Sequence, residues 1–217
     1  MDRRTKLVGI LKGSFHEGIS LKFLSQNNRS NKDVMHQIRL TWDGKSSVIY
    51  SAIVNCYAIM HMGTLDHTYL IDASNKAWVA KCSHWGKFSS VSCLGSIHKN
   101  NDAVGGILNE WGKLGTDDEY AKGGRAYATG LALAGSKNLE KTGLMWEDIK
   151  SGKEPQIHGG LLGIGLLNYA SADLSLVEEM KGLLFAESAT QGEAAGYGIG
   201  LIMTGHLDDN LLAELIQ

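Results

Sequence analysis

The chain has 217 residues, of which 43% are hydrophobic and 20% charged, and it contains 27 glycines but one proline. This composition excludes a collagen-like chain, which needs abundant proline, and a disordered chain, which needs low hydrophobicity and a large net charge. The formal net charge of -2 provides no basic field that would attract a nucleic acid. No apolar stretch reaches the roughly 20 residues that a membrane span needs, and three cysteines in a chain of this length favour a reducing compartment.

Residues 1–45 are predicted to be a helical lead-in. The spacing of their apolar residues predicts a pair of helices, followed by a polar link over residues 26–31 and a further helix near Val34 to Trp42. The first pair of helices rests on Leu7, Ile10 and Leu11 and then on Ile19, Leu21, Phe23 and Leu24. None of these residues carries the pattern that follows.

Residues 46–217 are predicted to be a repeat array with one weak and four clear repeats, the last of them truncated. Similar segments of about 13 residues begin at Phe88, Gly123, His158 and Glu193, and a weaker copy begins at Ser51. The clear copies share a central glycine every 35 residues, at Gly95, Gly130, Gly165 and Gly200. The residue two places before it is always small, and the residue two places after it is aliphatic or alanine.

Each repeat reads as a pair of helices. The aligned segment is apolar or small on nearly every side, which indicates a buried helix, and an amphipathic stretch follows it, as at Leu174, Val177, Met180 and Leu184. Gly135 and Gly205 lie five residues after a central glycine, where a left-handed residue would end the first helix. The sequence therefore predicts an all-α solenoid of helical hairpins, with Pro155 in a connection between two units.

The central glycines need a structural explanation. Glycine inside a helix costs about 1 kcal/mol relative to alanine, so four such residues cost about 4 kcal/mol. Close approach of neighbouring helices would offset this cost, because no Cβ atom stands at the contact. We therefore expect a structural packing role for Gly95, Gly130, Gly165 and Gly200, together with Gly163 and Gly198 two places before the last two of them.

Several motifs, taken in their order, resemble those of the proteasome/cyclosome repeat family. They are His84-Trp85-Gly86-Lys87-Phe88 with Leu94-Gly95, Gly123-Gly124 with Tyr127-Ala128 and Gly130, His158-Gly159-Gly160 with Gly163 and Gly165, and Gly192-Glu193-Ala194-Ala195-Gly196 with Gly200-Leu201. The resemblance covers about residues 5–217. It is strongest to the larger of the two repeat-bearing non-ATPase scaffold subunits in the base of the proteasome regulatory particle.

This resemblance implies a non-catalytic scaffold whose repeats form part of an α-α toroid. It implies partners among the ATPase ring, the lid and the ubiquitin receptors, a role in ubiquitin-dependent protein degradation, and localisation in cytoplasm and nucleus. The family has a longer run of repeats, so we expect this chain to be a piece of a longer protein. Its exposed repeat ends predict self-association, because a solenoid unit buries its apolar face only against its neighbours.

Glycine clusters, histidines with cysteines, and acidic runs could each form a chemical site or have a structural role. The glycine clusters near Gly160 and Gly196 match neither a dinucleotide fingerprint nor a phosphate loop, so no nucleotide or other cofactor is expected. Eight histidines and three cysteines lack the paired spacing of a zinc site, and no metal is expected. The acidic runs at Asp117–Glu119, Glu178-Glu179 and Asp208-Asp209 are predicted to be solvated, and Glu193 to begin a helix, so no catalytic residue is assigned.

Alternative functions remain open from the sequence. A repeat-bearing scaffold of the anaphase-promoting complex shares the repeat. An α/α-toroid hydrolase or cyclase would use acidic residues in a ring of paired helices. A tetratricopeptide adaptor has a similar period, but the proline that marks each of its repeats is missing here.

Overall fold

The computed structural model describes residues 2–11, 16, 18–20, 22–23, 32–42, 46–72, 79–112 and 118–216. Two helices precede the repeats, α1 at Arg3–Leu11 and α2 at Lys32–Trp42. The helix predicted around Ile19 to Leu24 lies partly outside the described residues, and the polar link over residues 26–31 lies wholly outside them. The division of the chain at residue 45 stays a prediction.

The rest of the described chain is a succession of helices, which confirms the predicted all-α solenoid. In order they are α3 at Ser47–Met60, α4 at Thr68–Ile71, α5 at His84–Ser92, α6 at Leu94–Ile97, α7 at Val104–Gly112, α8 at Glu119–Ala132, α9 at Leu139–Ser151, α10 at Glu154–Leu167, α11 at Leu174–Leu184, α12 at Ala189–Ile202 and α13 at Asp209–Ile216. No strand occurs among the residues described. None of the described helices is both long and apolar enough to cross a membrane.

The helices follow the repeat closely. The first helices of successive units are α3, the interrupted pair α5 and α6, then α8, α10 and α12. From the second unit onward these helices begin 35 residues apart, at His84, Glu119, Glu154 and Ala189. The second helices of the same units are α4, α7, α9, α11 and α13. From the second unit onward they also begin 35 residues apart, at Val104, Leu139, Leu174 and Asp209. Each first helix thus begins four residues before the predicted segment.

Local capping explains where several of these helices begin. Asp118 and Asn138 each accept a hydrogen bond at 3.0 Å from a backbone amide three residues later, at Ala121 and Lys141. Pro155 corrects the sequence interpretation, because it lies in the first turn of α10 rather than in the connection before it. Proline suits this turn, where its missing N–H removes no helical hydrogen bond.

The first helices of successive units stack directly on one another, and a second helix packs against the first helix of the next unit. The aliphatic position two residues after each central glycine lies at the centre of this stack. Its four occupants are fully buried, at Ile97, Ala132, Leu167 and Ile202. Burial of one such large side chain contributes about 1.5 to 3 kcal/mol, so the repeated position supplies a continuous core along the array.

Candidate functional site

The contact between successive first helices is built on glycine. A Cβ atom added to Gly130 would lie 2.6 Å from the Cα atom of Gly163, and one added to Gly165 would lie 2.7 Å from the Cα atom of Gly198. A Cβ atom on Gly95 would collide with the carbonyl oxygen of Ala128. In each case the obstacle is backbone, which has no rotamer by which to move away.

The partner in each contact is the small residue two places before the next central glycine, namely Ala128, Gly163 or Gly198. Gly163 and Gly198 also lie close to the backbone of the preceding unit. An added Cβ atom on Gly163 would lie 2.6 Å from the carbonyl oxygen of Ala126, and one on Gly198 would lie 3.1 Å from that of Leu161. The central glycine of one repeat thus faces the small residue of the next repeat across the interface.

Gly200 differs from the other central glycines. No described atom would lie within 4 Å of its added Cβ atom, and the residue is exposed on α12. No packing contact of Gly200 is seen in the part of the chain that is described, and its packing role stays a prediction.

Gly135 and Gly205 have a conformational role. Their φ angles are +73° and +82°, and no atom would lie within 4 Å of an added Cβ atom. They lie three residues after the ends of α8 and α12, so they shape the turn that follows the helix rather than its last residue. Asn100 and Ala170, at the equivalent positions of two other units, also have positive φ angles, of 62° and 53°.

This turn connects neighbouring units by backbone hydrogen bonds. The Gly135 amide donates to the Leu166 carbonyl at 2.8 Å, and the Ala170 amide donates to the Leu201 carbonyl at 3.0 Å. The acceptors lie at the carboxyl end of the next first helix, where carbonyl groups lack intrahelical partners. The same bond occurs from Gly63 to Ser96 at 2.9 Å and from Asn100 to Ala132 at 2.7 Å. A ladder of inter-unit bonds therefore runs along one rim of the array.

The positive φ angle of Ala170 in this ladder can be tested by substitution. A left-handed conformation costs a non-glycine residue about 1 to 2 kcal/mol, so we expect Ala170→Gly to raise the free energy of unfolding by about 1 kcal/mol. The reciprocal change, Gly135→Ala, is expected to lower it by a similar amount. Urea denaturation of both variants checks the pair, and equal effects of the same sign would contradict the conformational explanation.

Aromatic and histidine side chains occupy the opposite rim, at the amino ends of the first helices. Trp85 lies with ring centroids 5.4 Å from Tyr120 and 5.3 Å from His158, each in an edge-on arrangement. Phe88 lies 5.7 Å from His158, and the Nδ1 atom of His158 is 3.0 Å from the Thr190 carbonyl oxygen. These contacts join the second unit to the third and fourth units and the fourth unit to the fifth, while Trp85 keeps 41% of its surface exposed.

Two carboxylates of the acidic runs, those of Asp118 and Asp208, have structural partners. Asp118 is not a solvated loop residue, because its carboxylate forms an ion pair at 2.9 Å with the nearly buried Lys87. Asp208 accepts hydrogen bonds from the amides of Asn210 at 3.0 Å and Leu211 at 3.1 Å, so it caps α13. The pairing of each carboxylate with a helix amino end escaped the sequence analysis, although an Asp just before an apolar run is the usual signal.

The remaining acids fit the predicted solvated positions more closely. Glu178 is exposed and pairs with Lys181 at 2.9 Å. Glu193 is also exposed, but it lies in the second turn of α12 and does not begin that helix. Asp117 lies outside the described residues.

The histidines and cysteines that the structure describes do not gather into a ligand set. Within the described ranges, no three His, Cys, Asp or Glu side chains are placed to hold one metal ion. Cys82 and Cys93 are buried free thiols, and burial raises the pKa of both. Both thiols therefore stay protonated and behave as small apolar side chains.

His98 and His67 form a close pair of titratable side chains near the ladder rim. The His98 Nε2 atom lies 2.9 Å from the His67 Nδ1 atom, and His98 is only 1% exposed. Its Nδ1 atom is buried without a hydrogen-bond partner in the described part of the chain. Burial, with a smaller effect of His67, lowers the pKa of His98 to about 4.

This pKa predicts a loss of stability in mild acid. Unfolded His98 takes up a proton near pH 6.5, whereas folded His98 resists protonation down to about pH 4. The unfolded state therefore gains stability as the pH falls through that window. We expect His98→Gln to remove about 2 kcal/mol of the decrease in unfolding free energy between pH 7 and pH 4.5. Guanidinium titrations at both pH values measure it, and an unchanged slope would count against the assignment.

No protein-family model matches this chain. Individual proteins do: it is 33% identical over 213 residues to the 26S proteasome non-ATPase regulatory subunit 1 homolog B of Arabidopsis thaliana, covering 96% of this chain and 21% of that protein. It is 33% identical over 192 residues to the 26S proteasome regulatory subunit RPN2 of Saccharomyces cerevisiae, and this match covers 84% of this chain and 20% of that protein. With the 26S proteasome non-ATPase regulatory subunit 1 of Drosophila melanogaster it shares 28% identity over 216 residues. The chain thus spans about a fifth of the length of the curated relatives that it matches.

Proposed function

Because the chain belongs to the family of the 26S proteasome non-ATPase regulatory subunit 1 and RPN2, we propose that it is a segment of a structural scaffold in the proteasome regulatory particle. The observation that carries this proposal is the glycine-to-glycine stacking of the first helices. The most regular feature of the repeat, its glycine contact, joins one unit to the next. Both rims and the second helices are then the surfaces that contact other proteins. We further propose that the array forms part of a toroid in the longer protein.

The proposed partners are other subunits of the regulatory particle, namely the ATPase ring, the lid and ubiquitin receptors. The scaffold organises them for ubiquitin-dependent protein degradation in the cytoplasm and the nucleus. Support comes from the relatives, which are named as 26S proteasome subunits. The same names favour this assignment over a scaffold of the anaphase-promoting complex.

The proposal also assigns no catalytic role to this segment. The relatives are named as regulatory subunits. The acids that an α/α-toroid enzyme would need are used elsewhere, since Asp118 and Asp208 cap helices and Glu178 pairs with Lys181. Their carboxylates do not converge on a common point within the part of the chain that is described.

Affinity purification of the full-length parent protein from its own cells tests the proposed function. Recovery of ATPase-ring and lid subunits is the expected result. Recovery of ubiquitin-ligase subunits in their place would assign the protein to the anaphase-promoting complex. Recovery of the parent protein alone would contradict a scaffold function in either assembly.

The uncovered end of the array predicts self-association of the 217-residue chain. Tyr197, Leu212 and Ile216 are exposed by 61%, 47% and 76%, beside the open Gly200. We expect light scattering to show a mass that rises with concentration, and Leu212→Lys with Ile216→Lys to abolish the rise. Leu139→Lys, at a residue of an internal unit that is 77% exposed, is the matched control. A stable monomer at high concentration would contradict the prediction.

A further inference from the structure

The second helices of adjacent units leave grooves between them, and the groove between α7 and α9 is basic. It has a cavity volume of about 580 Å³, and α8 forms its floor. We call it the basic groove and define it by the lining residues Leu108, Lys122, Arg125, Lys141, Met145 and Asp148. It lies outside the stacked interface of the first helices.

Among the described residues that line the basic groove, cations outnumber acids. Lys122, Lys141 and Arg125 line it, and Asp148 is the one acid of this described lining. Neither Lys122 nor Lys141 forms an ion pair with another described residue. The groove between α9 and α11 has the same volume, but its lining contains one cation, Lys150, and one acid, Glu179. The excess positive charge therefore belongs to one groove and is not a general property of the repeat.

The basic groove also offers an apolar surface. Leu108 and Met145 are buried in its base, while Leu144 on its α9 side keeps 61% of its surface exposed. On the α7 side, Gly105 has no atom within 4 Å of an added Cβ atom. A low wall with no side chain allows another backbone to come close, and the exposed leucine offers it an apolar contact.

We propose that the basic groove binds an acidic amphipathic helix of a protein partner. Such a helix places an apolar stripe against Leu144 and directs flanking carboxylates to Lys122 and Lys141, which is the helix-in-groove mode of recognition. The 13 residues of α9 extend over about 20 Å, which matches about four turns of a bound helix. The identification of this partner as a regulatory-particle subunit rests on the proposed function, whereas the groove chemistry does not.

Zero-length cross-linking of the full-length parent protein, purified with its native assembly, tests the groove. A carbodiimide joins lysine amines to carboxylates that touch them, so Lys122 and Lys141 are expected to couple to Asp or Glu residues of one helical segment in another polypeptide. The exposed pair of Lys150 and Glu147, at 2.9 Å, is the internal positive control. With that control coupled, no coupling of Lys122 and Lys141, or coupling only within the same polypeptide, overturns the proposal.

Charge reversal gives a second, independent measurement. Lys122→Glu with Lys141→Glu is expected to weaken retention of the cross-linked partner about tenfold, and Lys150→Glu in the neighbouring groove is expected to leave it unchanged. Equal thermal unfolding of the two variants separates binding from folding. If inorganic polyphosphate instead raises the melting temperature in a Lys122-dependent way while no cross-link forms, the ligand is a phosphate and the proposal fails. The identity of the partner, read from the same cross-links, tests the proposed function separately.

Discussion

Gly165→Ala is expected to lower the free energy of unfolding by about 1 to 2 kcal/mol, although alanine is the better helix former. The new methyl group would lie 2.7 Å from the Cα atom and 3.1 Å from the carbonyl oxygen of Gly198. Because both obstacles are backbone, α10 and α12 must move apart, which disturbs the buried core to which Ile164 and Ile199 belong. Overpacking of this kind costs about 1 to 3 kcal/mol, and it outweighs the gain of about 1 kcal/mol in helix propensity.

Gly200→Ala is the matched control, because Gly200 holds the same position of the repeat on the open face of α12. With nothing within 4 Å of the added methyl group, only helix propensity remains, and we expect a gain of about 1 kcal/mol. Denaturant melts of the two variants should therefore move in opposite directions. A neutral or stabilising effect of Gly165→Ala would show that the central glycines are not packing contacts.

Asp118→Asn is expected to lower the free energy of unfolding by about 2 to 4 kcal/mol. The change removes the carboxylate that lies 2.9 Å from the Lys87 Nζ atom, and that ammonium group belongs to a side chain only 11% exposed. A buried charge that loses its partner is costly because the protein interior solvates it poorly. Asparagine still accepts the amide hydrogen bond of Ala121, so the cap of α8 is kept and the effect reports on the charge.

Two further variants isolate the ion pair. Lys87→Met combined with Asp118→Asn removes both members of the ion pair, and it is expected to recover most of the loss, since the nearly buried ammonium group is removed as well. Glu147→Gln breaks the exposed pair with Lys150, whose side chains are 72% and 68% exposed, and it is expected to cost less than about 0.5 kcal/mol. Equal losses for Asp118→Asn and Glu147→Gln, measured by urea denaturation, would contradict a buried role for Lys87.

The period of 35 residues, the helical hairpin and the all-α class were determined by the sequence itself. They depend on local patterns, namely small residues at a fixed position, apolar stripes at spacings of three and four, and the absence of alternating strands. These patterns persist whatever lies beside a helix. For the same reason the second helix at Leu174–Leu184 agrees with its predicted stripe, and Ile97 and its three equivalents are buried as an aliphatic core position should be.

The tertiary structure decided which face of each helix meets which neighbour. Gly165 and Gly200 share one sequence environment, yet among the residues described only Gly165 is covered, because Gly198 of α12, the next first helix, packs against it. The same holds for Ala170, whose positive φ angle is set by a hydrogen bond to Leu201 in the next unit rather than by its own preference. Asp118 becomes half of a buried ion pair only when α5 brings Lys87 to it. Local sequence specifies the helices, but these contacts join residues about 30 to 35 positions apart, so their partners appear only once the units are stacked.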